Sequence, residues 1–132
     1  MKKRIFLTVL VLLALAVVVS AQNGEPEFRI GRLVMATEIQ DREPVGEATV
    51  FSGDTERIFC FLEAENILQD TFVTFAWIYE GEEIHRIDLP LSAGSRWRTR
   101  AEKSLYGLTG QWRVEIRDAA GNVMDTVAFR VE

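Results

Sequence analysis

A two-residue rhythm of apolar side chains runs through this sequence, and a rhythm of two specifies extended strands rather than helices. Residues 111–117 place Trp112, Val114 and Ile116 on one face of a strand and Gln111, Arg113, Glu115 and Arg117 on the other. Residues 95–103 do the same, with Trp97, Thr99 and Ala101 opposite Arg96, Arg98 and Arg100. In 57–65, Ile58, Cys60, Leu62 and Ala64 alternate with Phe59, Phe61 and Glu63. In 71–79, Val73, Phe75, Trp77 and Tyr79 alternate with Phe72, Thr74, Ala76 and Ile78. Strands apolar on both faces belong in the middle of a sheet, so these two are expected to be central.

Turn chemistry separates the strands. Glu80-Gly81-Glu82 leads from 71–79 into a hairpin partner at 83–89, Pro90 and Gly94 mark a break, and Gly107 and Gly110 mark a corner. The segment Asp118-Ala119-Ala120-Gly121-Asn122 turns the chain into 123–131, where Val127, Phe129 and Val131 share a face. With 28–37 as a first strand there are about seven, and no segment beyond the N-terminal apolar stretch keeps a helical period. Two facing sheets bury one face of each strand, so the expected fold is all-β, an immunoglobulin-like antiparallel β-sandwich. Trp77, Trp97, Trp112 and Phe129 are its expected core residues.

The first 21 residues have a different character. Lys2, Lys3 and Arg4 precede an apolar run over 5–19, and Val19-Ser20-Ala21 offers small residues ahead of Gln22. This pattern is that of a helical signal peptide cleaved after Ala21, followed by a polar linker at 22–27 and a domain at 28–132. The rival reading is an uncleaved anchor, against which the run falls short of the roughly 20 residues a bilayer core requires. The expected location is therefore periplasmic or extracellular, with the membrane touched only through an uncleaved leader.

Charge and cysteine usage narrow the functional classes. The chain has 15 basic and 20 acidic residues, a net charge of −5, and loss of Lys2, Lys3 and Arg4 with the leader would make it −8. An acidic surface disfavours nucleic acid and anionic lipid as partners. Cys60 is the single cysteine, so no internal disulfide braces the fold. Set in Phe59-Cys60-Phe61, it reads as a buried thiol rather than a nucleophile. His85 is the single histidine and sits among charged neighbours, which suits a solvent-facing strand residue better than a catalytic base.

Glu80, Glu82 and Glu83 crowd one turn, and Asp118 and Asp125 flank another. They lack the Asp-x-Asp spacing of a calcium loop, and nothing singles out a carboxylate pair for glycoside hydrolysis. Neither a metal nor a cofactor is expected, and no phosphate loop, nucleophile elbow or His-Glu-x-x-His motif occurs.

Residues 39–131 resemble the bacterial family known as domain of unknown function 2914. The likeness lies in Arg42-Glu43-Pro44, in Trp77 with Tyr79 and Gly81, and in Arg96-Trp97-Arg98-Thr99 with Lys103. Gly110-Gln111-Trp112-Arg113-Val114, Asp118, Gly121 and Phe129 complete it. The resemblance implies an envelope-associated β domain with no assigned activity. Where the family carries polar residues before the equivalent of Trp77 and a serine pair before that of Lys103, this chain has Phe75-Ala76 and Ala101-Glu102. Any family site at those positions is therefore altered here.

The feature that most resembles a binding site is a basic ladder, Arg96, Arg98 and Arg100, extended by Arg113 and Arg117 on a nearby strand. Arginine presents a planar fork that suits carboxylate, sulfate or phosphate, so an envelope protein or an anionic glycan is the expected partner. The competing reading is pairing with the domain's own Glu and Asp. A second candidate is the outer apolar face of the central strands, either Phe59 with Phe61 or Phe72 with Ile78. The favoured function is a noncatalytic envelope binding module, with a structural or assembly subunit as the alternative and a hydrolase a distant third.

Overall fold

The computed structural model describes residues 26–132; the expected leader and all but the end of the expected linker lie outside them. Ten strands form: β1 (Arg29–Ala36), β2 (Glu38–Gln40), β3 (Glu43–Val45), β4 (Val50–Phe51), β5 (Arg57–Ile67), β6 (Thr71–Tyr79), β7 (Glu82–Leu91), β8 (Gly94–Ser104), β9 (Gly110–Arg117) and β10 (Val123–Val131). They build a three-stranded sheet in the order β1-β5-β8, a five-stranded sheet in the order β4-β10-β9-β6-β7, and a two-stranded β2-β3 hairpin. The described residues are all-β and sandwich-like. The seven strands legible in the sequence are all present, and β2, β3 and β4 are additional.

Those three escaped notice for a physical reason. Strands of two or three residues carry no period. The β2–β3 turn uses Asp41 and Arg42, both at positive φ (50° and 64°), where a two-residue hairpin ordinarily uses Asn-Gly. The pairing of β4 with β10 is parallel, through Arg130↔Val50 and Val131↔Phe51, so the sandwich is not wholly antiparallel.

Register decides which face of each strand enters the core. Directly paired residues share a face, and β5 sends Ile58, Cys60, Leu62 and Ala64 inward opposite Ala101, Thr99 and Trp97 of β8. From the other sheet come Val73, Phe75 and Trp77 of β6, Trp112, Val114 and Ile116 of β9, and Phe129 and Val131 of β10. At the centre, Phe129 stacks on Trp112 at 5.7 Å and meets Trp77 and Phe51 edge-on at 6.4 and 5.9 Å. Tyr79 tilts against Trp112 at 4.7 Å. The polar ends of these rings are used at the corner before β9, where Trp112 Nε1 donates to the Leu108 carbonyl and the Tyr79 hydroxyl to that of Thr109.

Trp97 corrects the expected core. It shares the inner face of β8 with Thr99 and Ala101, yet it is 37% exposed, because β8 is the edge of the smaller sheet. The outer apolar faces are largely covered as well. Phe61 points outward but is 2% exposed, flanked by Ile39 of β2 and by the Arg32 guanidinium 5.5 Å from its ring. Ile78 is likewise buried, and Phe72 alone of that candidate set is exposed.

Because Phe129 is the ring shared by every other member of the aromatic cluster except Tyr79, Phe129→Ala is expected to cost about 3–5 kcal/mol. Urea unfolding of the variant against the parent measures it, and a loss below about 1 kcal/mol would show that the cluster does not hold the sheets together.

Candidate functional site

The two sheets divide the expected arginine ladder. On β8, Arg96, Arg98 and Arg100 pair in register with Glu65, Glu63 and Phe61, which places them on the outer face of the three-stranded sheet. On β9, Arg113 and Arg117 pair with Ile78 and Thr74, on the outer face of the five-stranded sheet. The outer faces of a sandwich point in opposite directions, so these five arginines do not form one site. Alternation correctly put each on an outward face, but alternation says nothing about which sheet a strand joins.

Arg113 and Arg117 belong to an ion network of the protein's own making. Arg117 Nη1 lies 2.7 Å from Glu83 and its Nη2 lies 3.0 Å from Glu115, which also meets Arg113 at 3.4 Å; Glu83 in turn accepts from Arg86 at 2.5 Å. Beneath these side chains lie the outward residues of β6, with the Thr74 hydroxyl donating to Asp88 at 2.6 Å and Ala76 and Ile78 buried. These pairs, three within a strand and one from β9 to β7 across β6, thus cover apolar surface with the aliphatic stems of charged residues.

Hydrogen bonds from Arg86 and then Arg117 hold the Glu83 carboxyl below its ordinary value of 4.5. A carboxylate with a depressed folded value stabilises the fold above the unfolded value and loses that contribution as pH falls through the folded one. Glu83→Gln is accordingly expected to lower the melting temperature near neutrality, with the gap from the parent closing as pH falls below the ordinary carboxylate value of 4.5. A gap that stays constant from neutrality into acid would remove Glu83 from the network's energetics.

The other half of the ladder opens onto a groove of about 500 Å³, lined by Ile39, Arg42, Phe61 and the consecutive residues Arg96, Trp97, Arg98, Thr99 and Arg100. Its construction follows from the hairpin. Glu43 of β3 is tied to Arg32 of β1 at 3.3 Å and forms a close ion pair with Arg98; Glu47 forms another with Arg32. These bonds hold β2–β3 over the outer face of the three-stranded sheet and bring its tip, Arg42, to the β8 side. Arg98 is the anchored member, since its Nε also lies 3.3 Å from Glu63, though without forming a hydrogen bond. Arg96 approaches Glu63 at 3.6 Å and is largely exposed. Arg42 and Arg100 have no carboxylate within ion-pair distance among the described residues. Four guanidinium groups therefore border the groove against two carboxylates, Glu43 and Glu63, over a floor of Ile39 and Phe61.

Arg42 was legible in the sequence as part of a motif but not as a member of this site. The structure adds it by folding the hairpin back. It also holds Arg42 at φ 64°, a backbone conformation uncommon for a residue with a Cβ and one often found where a side chain must be aimed.

The remaining candidates have other occupations. Cys60 is fully buried, and burial pushes its thiol well above the ordinary value of 9.0, so it is held protonated. His85 is exposed on β7. Glu80 accepts from Gln111 N at 2.7 Å, and its carboxylate lies against Gly110, whose φ of 126° and lack of room for a Cβ suit glycine. Asp118 caps its own turn, accepting from Ala120 N at 3.0 Å and Asn122 N at 2.8 Å. No group of three or more His, Cys, Asp and Glu able to hold a metal ion occurs among the described residues.

No curated protein sequence matches the chain. Among solved structures, a β-glucosidase from Listeria innocua in complex with glucose aligns at 12% identity and a TM-score of 0.50, over 80% of this chain and 16% of that one. A β-glucosidase from Kluyveromyces marxianus aligns at 11% identity and a TM-score of 0.47, over 80% and 14%. This chain thus spans about a sixth of the length of the Listeria enzyme, and at such identity the likeness is one of fold alone. The sequence family described as "Protein of unknown function (DUF2914)" matches residues 70–131, which cover β6 to β10 and include Arg96, Arg98 and Arg100 of the groove, so the C-terminal half of the described chain is similar to that family.

Proposed function

We propose that this chain is an exported, noncatalytic binding module of the bacterial cell envelope, and that the groove bordered by Arg42, Arg96, Arg98 and Arg100 receives an anionic group of a partner protein or polymer. The observation that carries the reading is the local reversal of sign. In a chain of net charge −5, four arginines converge on one groove and two of them, Arg42 and Arg100, have no carboxylate partner among the described residues. A guanidinium left free in this way offers its fork to carboxylate, sulfate or phosphate.

A binding role is favoured over catalysis by what lines the groove. Its lining offers guanidiniums and the Thr99 hydroxyl, and the two carboxylates that border it, Glu43 and Glu63, are each engaged by arginines, an arrangement with no activated nucleophile. Export is supported by the basic start, apolar run and Val19-Ser20-Ala21 of the N-terminus.

Titration of the purified chain with polygalacturonate and with poly-glutamate tests the groove. Binding is expected to weaken as salt rises and to fall about tenfold in Arg100→Ala, the loss of one charge-assisted hydrogen bond. Absence of binding to either polymer, or binding indifferent to Arg100→Ala and Arg42→Ala, would overturn this assignment. Export is tested separately by the intact mass of the chain recovered from a bacterial envelope fraction, expected to correspond to a start at Gln22.

A further inference from the structure

We infer that the free edge of β8 accepts an extended acidic peptide strand from another protein, added antiparallel or parallel to Gly94–Ser104 so that its carboxylates lie beside Arg96, Arg98 and Arg100. This rests on the groove reading above and names the ligand of that groove.

The shape of the groove points to the edge. Successive side chains of a strand point to opposite faces, so a cavity confined to one face of β8 would touch only every second residue. This one is lined by five in a row, 96–100, and so reaches the main chain of β8 as well as its outward arginines. Among the described residues β8 pairs with β5 on one side alone, and its outward N–H and C=O groups on the other side have no strand partner there. Main-chain groups in that position are the template for strand addition.

The other sheet edges are blunted, and β8 is not. β4 has two residues. β1 breaks register between Ile30 and Arg32 and gives one outward carbonyl, that of Met35, to Ala48 N at 3.2 Å. β7 carries Pro90 and a register break opposite Trp77 and Ile78. β8 runs eleven residues without proline or a register break against β5. An edge of that kind is an association hazard unless something selects its partner.

The arginine row supplies the selection. Were a second copy to add its own β8 about a two-fold axis, Arg96, Arg98 and Arg100 would face their equivalents across the new pair, and like charges directly opposite are destabilising. A strand with Glu or Asp at alternate positions meets the row in register, since both repeat at about 6.8 Å. Its intervening side chains fall on the other face, beside Thr99 and the partly exposed Trp97, and so are best apolar. Arg42, at the hairpin tip, adds a fourth cation on the acidic face. The ligand is thus a segment of alternating acidic and apolar residues.

Three synthetic peptides of about eight residues and equal composition separate strand addition from charge alone. In the first, Glu and Val alternate. The second collects them in two blocks, and the third is the alternating peptide N-methylated at every second amide, on the side that would face β8. Calorimetric titration of the unaltered chain is expected to give an affinity for the alternating peptide at least about tenfold above that for the other two. Arg100→Ala is expected to reduce that affinity about tenfold while its thermal unfolding matches the parent's. Equal affinity for all three peptides, or polygalacturonate binding that depends on Arg100 with no peptide bound, would overturn strand addition and leave the groove reading in place. If no anionic probe binds, both fall.

Discussion

The rest of the structure depends on the contact between two inner sheet faces, and at its centre on one ring. Phe129 touches Trp112, Trp77 and Phe51, so a single side chain of the last strand joins three others of its own sheet into one apolar surface. Against that surface lie Ile58, Cys60, Leu62 and Ala64 of β5. With one cysteine and no disulfide, this burial carries the stability of the described residues. The indole N–H of Trp77 is fully buried without a hydrogen-bond partner, a cost that the surrounding aromatic packing outweighs.

Sheet membership, rather than residue type, sorts the arginines. Arg113 and Arg117 lie on an interior strand of the five-stranded sheet, where Glu115 of the same strand and, for Arg117, Glu83 of β7 reaching across β6 come within ion-pair distance, and they are paired there. Arg96 and Arg100 lie on a strand that, among the described residues, has a neighbour on one side only, where carboxylates are scarcer. Residues of one kind on two similar strands thus end in different electrostatic settings, one closed and one open. The difference follows from the crossing of the chain between sheets over the short connection from β7 to β8.

The hairpin converts that open edge into a groove. It is fastened by Glu43 and Glu47 to Arg32 and by Glu43 to Arg98, and it covers Phe61, which would otherwise be an exposed aromatic on the outer face. Two residues at positive φ, Asp41 and Arg42, make its turn. Accepting a left-handed arginine where glycine fits more easily puts a guanidinium at the groove's end, so the strained position and the charged one coincide.

Much of the architecture was legible in the residues themselves. Alternation is a local property, and it identified Thr71–Tyr79 and Val123–Val131 to the residue and the inward face of β9, because a strand buried on one side must repeat every two positions; on β5 and β6, apolar on both faces, it left the inward face open. It also placed Trp77, Trp112 and Phe129 on core-facing positions, where they are buried. What it could not supply is any relation between strands distant in the chain. Strand order put β8 at an edge and so left Trp97 partly in solvent; it sent Arg113 and Arg117 to the opposite side of the molecule from Arg96, Arg98 and Arg100. The short strands β2, β3 and β4 are held by partners far away in sequence rather than by any pattern of their own. The sequence by itself determined which faces are apolar, because that depends on neighbours along the chain; the tertiary structure alone decided which of the outward charges meet, because that depends on loop closures whose outcome no single strand encodes.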